Sequence, residues 1–222
     1  MYKGTMKKIM FNKHFGLQQS VLDGTKNMTR RIIQAPRKFK GVEDTMLEFH
    51  RRIGASRFYD CVVCDGDGYE LGQMPLPYKV GEVIAIAQSY KEIDERGIVA
   101  YVDASDIQPG MVSPIFAKDT PGWTNKMFVK ALYMPNQIQI TDLWFERLQD
   151  ISDEDIMREG IHEGEFMNTW DRFYYDMWGD VANHITFRTP REAFASLIDR
   201  VSGRGTWESN PWVVAYSFYL IK

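Results

Sequence analysis

The sequence predicts an α+β chain: a small mixed β-barrel with peripheral helices and a long insertion. Three observations lead there. Short apolar or alternating runs at 83–87, 98–102, 127–132, 137–145 and 212–221 read as roughly five strands. They are joined by long connections with no strand–helix–strand rhythm, which disfavours a doubly wound parallel sheet. Two helix starts are clearly signalled late in the chain, and the second of these helices is amphipathic enough to lie on the barrel.

The strands differ in how they are expected to be buried. Val83-Ile84-Ala85-Ile86-Ala87 is apolar throughout and suits a strand covered on both sides. In 137–145, Ile138 and Ile140 alternate with Gln137, Gln139 and Thr141, as a half-buried strand requires. The run 212–221 is rich in aromatic and β-branched residues.

Among the helices, Phe15, Leu17, Val21 and Leu22 suggest a short one, stopped by Gly24 in a left-handed position. Ser152 followed by Asp155 is an acidic variant of the capping box, with Gly160 as its stop. Thr189-Pro190-Arg191-Glu192 supplies an N-cap, a first-turn proline and a third-position Glu. Phe194, Leu197, Ile198 and Val201 then share a face, and Gly203 ends the helix. Residues 36–79 are rich in Gly, Pro, Asp and Arg, and are expected to form an excursion with a helix across 43–53.

Composition excludes several classes. With 44% hydrophobic and 14% aromatic residues, the 222-residue chain can bury a core, so general disorder is excluded. No apolar run reaches the roughly 18 residues that span a bilayer. Met1-Tyr2-Lys3-Gly4-Thr5 lacks the apolar stretch of a signal peptide, and there are two cysteines; a cytoplasmic location is expected. The net charge of −3 is unevenly spread: residues 1–52 hold twelve Lys/Arg against four Asp/Glu, and the rest hold fifteen against twenty-six. Such asymmetry fits either polyanion contact by the basic segment or two oppositely charged segments packing together.

Past Gly24, the residues Lys26, Thr29, Arg30 and Arg31 could carry chemistry. A glycine turn exposes backbone N–H groups to an anion. Lys supplies a point charge or, once desolvated, a base, and Arg offers a planar fork. Thr adds a hydroxyl that can bind or attack.

Leu22-Asp23-Gly24-Thr25-Lys26-Asn27-Met28-Thr29-Arg30-Arg31-Ile32 resembles the G-x-K-x-x-T-x-R signature of the ASCH domain family, a branch of the PUA-like barrels. Tyr78-Lys79-Val80-Gly81-Glu82-Val83 is similar to that family's entry into its second strand. Met134-Pro135 and the run from Glu146-Arg147-Leu148-Gln149 to Asp155 resemble a long subgroup common in phages and prophages. Ala193-Phe194 and Trp207-Glu208-Ser209-Asn210-Pro211-Trp212-Val213 resemble its C-terminal signature.

The resemblance implies one PUA-like domain over 1–222, elaborated at about 36–79 and 103–126. It implies RNA or a modified nucleoside as ligand, bound around Gly24, Lys26, Arg30 and Arg31, with no cofactor, metal or membrane. A small bacterial branch of the family hydrolyses 4-acetylcytidine with a Lys, a Thr and a Glu; these fall on Lys26, Thr29 and, across gaps, Glu159. In that reading Thr29 attacks the acetyl carbonyl, Lys26 takes its proton, and Glu159 orients Lys26 or handles the proton of a water nucleophile. An amidohydrolase, a non-catalytic RNA-binding module and a ribonuclease all stand as readings of the same motif. Thr29 and Arg31 are expected on one side of an extended stretch, with Lys26 joining them only if the chain turns near Asn27.

Other groups read more plainly. Cys61-Val62-Val63-Cys64 has the spacing of half a zinc site but lacks a second pair, so two ordinary thiols are expected. Asp65-Gly66-Asp67-Gly68 reads as a turn, and His14, His50, His162 and His184 as isolated residues. Trp170, Phe173, Tyr174, Tyr175 and Trp178 stand at helical spacing and are expected to pack.

Overall fold

The structure, a computed structural model, describes residues 6–95, 121–165, 172–176 and 186–221. In chain order the elements are β1 (Lys8–Ile9), α1 (Leu17–Leu22), β2 (Met28–Ile32), β3 (Lys38–Phe39), β4 (Val42–Glu43), β5 (Met46–Arg51), β6 (Phe58–Cys64), β7 (Glu70–Gln73), β8 (Val83–Ile86), α2 (Tyr90–Glu95), β9 (Gln137–Arg147), α3 (Asp153–Arg158), β10 (Ile161–Glu165), β11 (Arg172–Asp176), α4 (Pro190–Ser202), α5 (Thr206–Ser209) and β12 (Trp212–Ile221). Strands predominate and helices are few, so the chain is α+β as expected. It divides into two compact units: Met1–Phe11, Val83–Gln139 and Leu220–Lys222 form the first, and Asn12–Glu82 and Ile140–Tyr219 the second.

In the first unit, β1 lies parallel to β8, with Lys8 opposite Ala85. The opening residues of β9 lie antiparallel to β8, with Ile138 opposite Ile84. Ala85, Ala87, Tyr90, Ile93, Val129 and Met134 close a small core there. The strand expected at 127–132 is replaced by two 3₁₀ turns, Lys126–Phe128 and Ala131–Tyr133. Two contacts, one local and one distant, cause this: the Asn125 side chain accepts from the Met127 N–H. The Lys8 ammonium donates to the carbonyls of Met127 and Val129, each at 2.8 Å, so neither is available to a ladder. The strand expected at 98–102 and most of 103–126 lie outside the described residues, as does His184.

In the second unit, β9 adjoins β12, which pairs with β2, while β6 pairs with β5, β7 and β9. Small hairpins β3–β4 and β10–β11 complete it. The described ladders of neither unit close on themselves. The helix expected across 43–53 is a strand, because Leu47 and Phe49 turn inward between the exposed Glu48 and His50, a period of two. β6 runs antiparallel beside it, with Phe49 opposite Cys61, and Phe58 reaches Phe145 of β9. The Asp65 carboxylate accepts from the Asp67 and Tyr69 N–H groups and makes the turn into β7. Phe173, Tyr174 and Tyr175, expected on a helix, lie on β11 with partners on β10, whereas Trp170 and Trp178 lie outside the described residues.

The late helices form as their caps require. Ser152 accepts from the Asp155 N–H at the start of α3. Thr189 and Glu192 exchange both bonds of a capping box at the start of α4, which buries Ala193, Phe194 and Leu197. The face of α4 is narrower than expected, for Val201 is exposed. The α4 side chain Asp199 reaches across to α5, accepting from the N–H groups of Trp207 at 2.8 Å and Gly205 at 3.0 Å. Those bonds, that of Trp207 above all, hold its carboxyl below the ordinary 3.8. A carboxylate with a depressed native pKa adds stability above its unfolded pKa, and that stability is lost as pH falls through the native value. Asp199→Asn is therefore expected to destabilise the chain by ~1 kcal/mol at neutral pH. In urea titrations the gap from the parent should shrink below about pH 4; a gap independent of pH would contradict the assignment.

Candidate functional site

Every residue of the candidate site belongs to the second unit. Helix α1 ends at Asp23, and Gly24 follows at φ 80°, where a side chain would be strained. The chain then folds back: the Lys26 N–H donates to the Ser20 carbonyl at 2.9 Å, as does the Thr25 hydroxyl at 3.1 Å. Asn27 is held on three sides. Its N–H donates to the Arg158 carbonyl, its carbonyl accepts from the Phe218 N–H, and its side-chain oxygen accepts from the Arg158 guanidinium. Asn27 is thus fixed against α3 and β12, the turn itself lies at 23–25, and β2 starts at the residue after Asn27.

The fold-back after α1 brings Lys26 to Glu159, 133 residues away in sequence. The Lys26 ammonium donates to the Glu159 carboxylate at 2.5 Å and to the Glu159 backbone carbonyl at 2.7 Å. Lys26 is 3% exposed and Glu159 4%. Glu159 is the C-cap of α3, and Gly160 beyond it takes φ 101°, ending the helix. A Cβ at Gly160 would sit 3.6 Å from the Lys26 stem, so the aliphatic part of the lysine lies directly over this glycine.

Arg30 joins from β2. Its guanidinium donates to Glu146 at 2.6 Å, to the second oxygen of Glu159 at 3.1 Å and to Asp155 at 3.2 Å. Glu146 also accepts from the Trp144 indole at 2.7 Å. The other oxygen of Asp155 pairs with Arg158 at 3.2 Å, and Arg158 donates onward to Ser217. Arg57 lies over the Trp144 ring, 3.9 Å from its centre. Three buried or half-buried carboxylates are therefore met by Lys26, Arg30 and Arg158, with no charge in the group left alone.

Strand alternation divides the rest of the motif. Arg30 lies opposite Ala215 and Met28 opposite Ser217, so these four share one face of the β2–β12 ladder. Thr29 lies opposite Tyr216 and Arg31 opposite Val214, on the other face. Thr29 is buried, and no hydrogen bond of its hydroxyl occurs among the described residues. Tyr78 meets Tyr216 edge to face at 5.6 Å. Burial raises both phenols above their ordinary value, and the Arg31 charge opposes this in each.

Burial also pushes the Lys26 ammonium below its ordinary 10.5; Glu159 pulls it back, while Arg31 and, more weakly, Arg30 push it down. Burial likewise opposes the charge of Arg30, but Glu159 and Glu146 outweigh it and hold the guanidinium above its ordinary value. Lys26 thus stands in the field of both arginines, although β2 sends them to opposite faces.

Of the expected site residues, the structure brings Lys26, Glu159 and Arg30 into contact. It sets Thr29 and Arg31 together on the other face of β2, and places Gly24 at the turn that precedes them. The partners Glu146, Asp155, Arg158 and Asn27 were missed from sequence. Glu146 did carry a signal, as a charge beside Trp144 and Phe145 in a strand. Asp155 was read only as a cap; its backbone is capped by Ser152, while its carboxylate turns to the arginines. Cys61 and Cys64 are free, buried thiols on β6, and burial drives that of Cys61 up to about 12. Among the described residues, no group of three side chains could hold a metal, and no helix is long and apolar enough to cross a membrane. Comparison of the chain with protein-family models, curated proteins and solved structures gave no match.

Removing Glu159 takes away the buried Lys26 ammonium's carboxylate and one of three from Arg30. Glu159→Ala is expected to lower unfolding stability by about 3–5 kcal/mol, as for other broken buried pairs. Pairing it with Lys26→Met should return part of that loss, as a double-mutant cycle in urea would read. Additive losses would show that the two residues are not coupled.

Proposed function

We propose that the chain is an ASCH-type protein with a PUA-like small mixed barrel, and that it binds RNA or a modified nucleoside and hydrolyses an acylated base such as 4-acetylcytidine. The observation that carries the reading is the meeting of Lys26 and Glu159 in a buried pair at 2.5 Å, across 133 residues. The family resemblance assigns catalysis to these two positions and to Thr29.

In this reading the Thr29 hydroxyl attacks the acetyl carbonyl and passes its proton to Lys26. The tetrahedral intermediate collapses, the bond from carbonyl carbon to N4 breaks, and Lys26 returns the proton to the departing amine. Water, deprotonated by Lys26 in turn, attacks the acyl-threonine; the carbonyl carbon–Oγ bond breaks, acetate leaves, and Lys26 returns the proton to the Thr29 oxygen. Glu159 positions Lys26, since its carboxylate and its carbonyl both hold the ammonium. Arg31, beside Tyr78 and Tyr216 on the Thr29 face, binds the ligand; Arg30, sealed among carboxylates, fixes Glu159 and leaves ligand contact to Arg31.

The alternative reading is a non-catalytic RNA-binding module. The two bonds from Glu159 to the Lys26 ammonium favour it, because they stabilise the charged form that cannot act as a base.

Release of cytidine from 4-acetylcytidine, followed by chromatography, separates the two. If the hydrolase reading holds, Lys26→Ala and Thr29→Ala each lower kcat by 100-fold or more, on the order of general acid–base contributions, with affinity changed less than about tenfold. The rate should climb with pH to a plateau, with an apparent pKa below 10.5, because only neutral Lys26 accepts the proton. No turnover by the parent protein, with RNA still bound, would select the binding module.

A further inference from the structure

A second feature of the same unit bears on what form the ligand takes. Phe49 and Trp212 stack with ring centres 3.8 Å apart. Phe58 meets Trp212 edge-on at 5.5 Å, and Phe145 lies 5.6 Å from Phe49. Two arginines cover this cluster: Arg147 stands over Trp212 at 4.7 Å and Arg51 over Phe58 at 4.5 Å. The rings of Phe49, Phe58 and Trp212 are half-buried, and both arginines are exposed.

Ring-covering arginines differ in their other partners: Arg191, over Trp207, donates to backbone carbonyls, whereas others take a carboxylate. Arg52, over Tyr59, does so with Asp60, and Arg57, over Trp144, with Asp155. Arg147 instead donates to the Asn210 carbonyl, and neither it nor Arg51 has a carboxylate partner among the described residues. Two uncompensated guanidinium groups on a ring cluster make a surface complementary to a polyanion with exposed bases. The charges meet phosphate, and the outer planes of the ring-backed guanidinium groups offer faces for stacking.

Its position ties it to the candidate site. Trp212, Val214 and Tyr216 alternate onto one face of β12, and the β2–β12 register puts Thr29 and Arg31 on that same face. From Trp212 to Tyr216 the strand advances about 13 Å, more than the roughly 3.4 Å rise of one stacked nucleotide.

We propose that the Phe49–Phe58–Trp212 cluster, with Arg51 and Arg147, binds single-stranded RNA flanking the base held at the Thr29–Arg31 face, so that the ligand is a nucleotide within a strand and not a free nucleoside. The proposal rests on the reading of that face as a nucleoside site. A duplex does not fit the chemistry, because its bases are already stacked on one another.

The test uses the full chain and a fluorescein-labelled 12-nucleotide single-stranded RNA, with anisotropy followed across a salt series. Arg51→Ala/Arg147→Ala is expected to weaken binding by about tenfold or more and to flatten the salt slope by ~1.4, two phosphate contacts at ~0.7 each. Trp212→Leu should weaken binding more than Trp212→Phe, which keeps a ring to stack on. Lys38→Ala/Arg188→Ala removes two exposed charges elsewhere in the unit and serves as control. Thermal unfolding by circular dichroism checks that each variant folds.

Equal weakening by the control pair, tighter binding of a blunt duplex, or binding of phosphatidylserine vesicles in place of RNA would each overturn the proposal. Hydrolysis of a 4-acetylcytidine placed within the same 12-nucleotide RNA, assayed separately, keeps the two readings apart. RNA affinity insensitive to Arg51 and Arg147 while hydrolysis persists defeats this inference alone; strand binding that depends on them without hydrolysis defeats only the catalytic reading.

Discussion

One carboxylate, that of Glu159, lies where two cations meet in the interior of the second unit. Lys26 arrives from the turn after α1 and Arg30 from β2, and each takes a different oxygen. Neither cation could be buried to this degree alone, since an isolated buried charge is strongly unfavourable. The pair geometry in turn depends on what surrounds it: Gly160 ends α3 at a positive φ directly under the lysine stem, and Asn27 pins the turn to the end of α3 and to β12. The carboxylate therefore couples the start of β2 to α3 and, through Asp155, Arg158 and Ser217, to β12. Buried ion networks are weak sources of net stability but narrow the set of acceptable packings. Here the packing they select places the motif.

The alternation of β2 then does two jobs with four consecutive residues. Met28 and Arg30 face Trp144 and the carboxylates; Thr29 and Arg31 face the Tyr216 side. Runs such as Thr-Arg-Arg read as uniformly basic in sequence, yet one arginine is neutralised inside and its neighbour lies on the opposite face. This division explains why removing Arg30 and removing Arg31 are different experiments, the first acting on Glu159 and the second on the Thr29 face.

Much of this was legible beforehand, for identifiable reasons. The α4 capping box, the Gly24 and Gly160 stops and the strands beginning at Val83, Gln137 and Trp212 are decided by local rules, and they formed as read. Convergence of Lys26 and Glu159 was accessible only through the family resemblance, since no local rule brings residues 133 apart together. The misread segments share a cause. Residues 46–51 alternate in polarity over few positions, inside a stretch with no sustained periodicity, and a partner strand, β6, settled the matter. The run 127–132 is apolar enough for a strand, but Lys8, far away in sequence, takes its carbonyls. In both cases tertiary contacts decided what the window could not.

The charge asymmetry of the sequence also resolves in physical terms. Two explanations stood for a basic stretch at 1–52 followed by an acidic remainder: packing between opposite charges, or contact with an outside polyanion. Lys26 and Arg30 illustrate the first, since Glu146, Asp155 and Glu159 of the acidic portion neutralise them in the interior. Arg51, at the end of the same basic stretch, is not so neutralised; it lies exposed over Phe58, with no carboxylate partner among the described residues. The excess of positive charge is thus spent in two places with different dielectric surroundings. The buried cations act through geometry and are insensitive to salt, whereas Arg51 acts through a screened field that added salt weakens. A ligand bound through both regions would therefore lose affinity with rising ionic strength while the Lys26–Glu159 pair stayed intact.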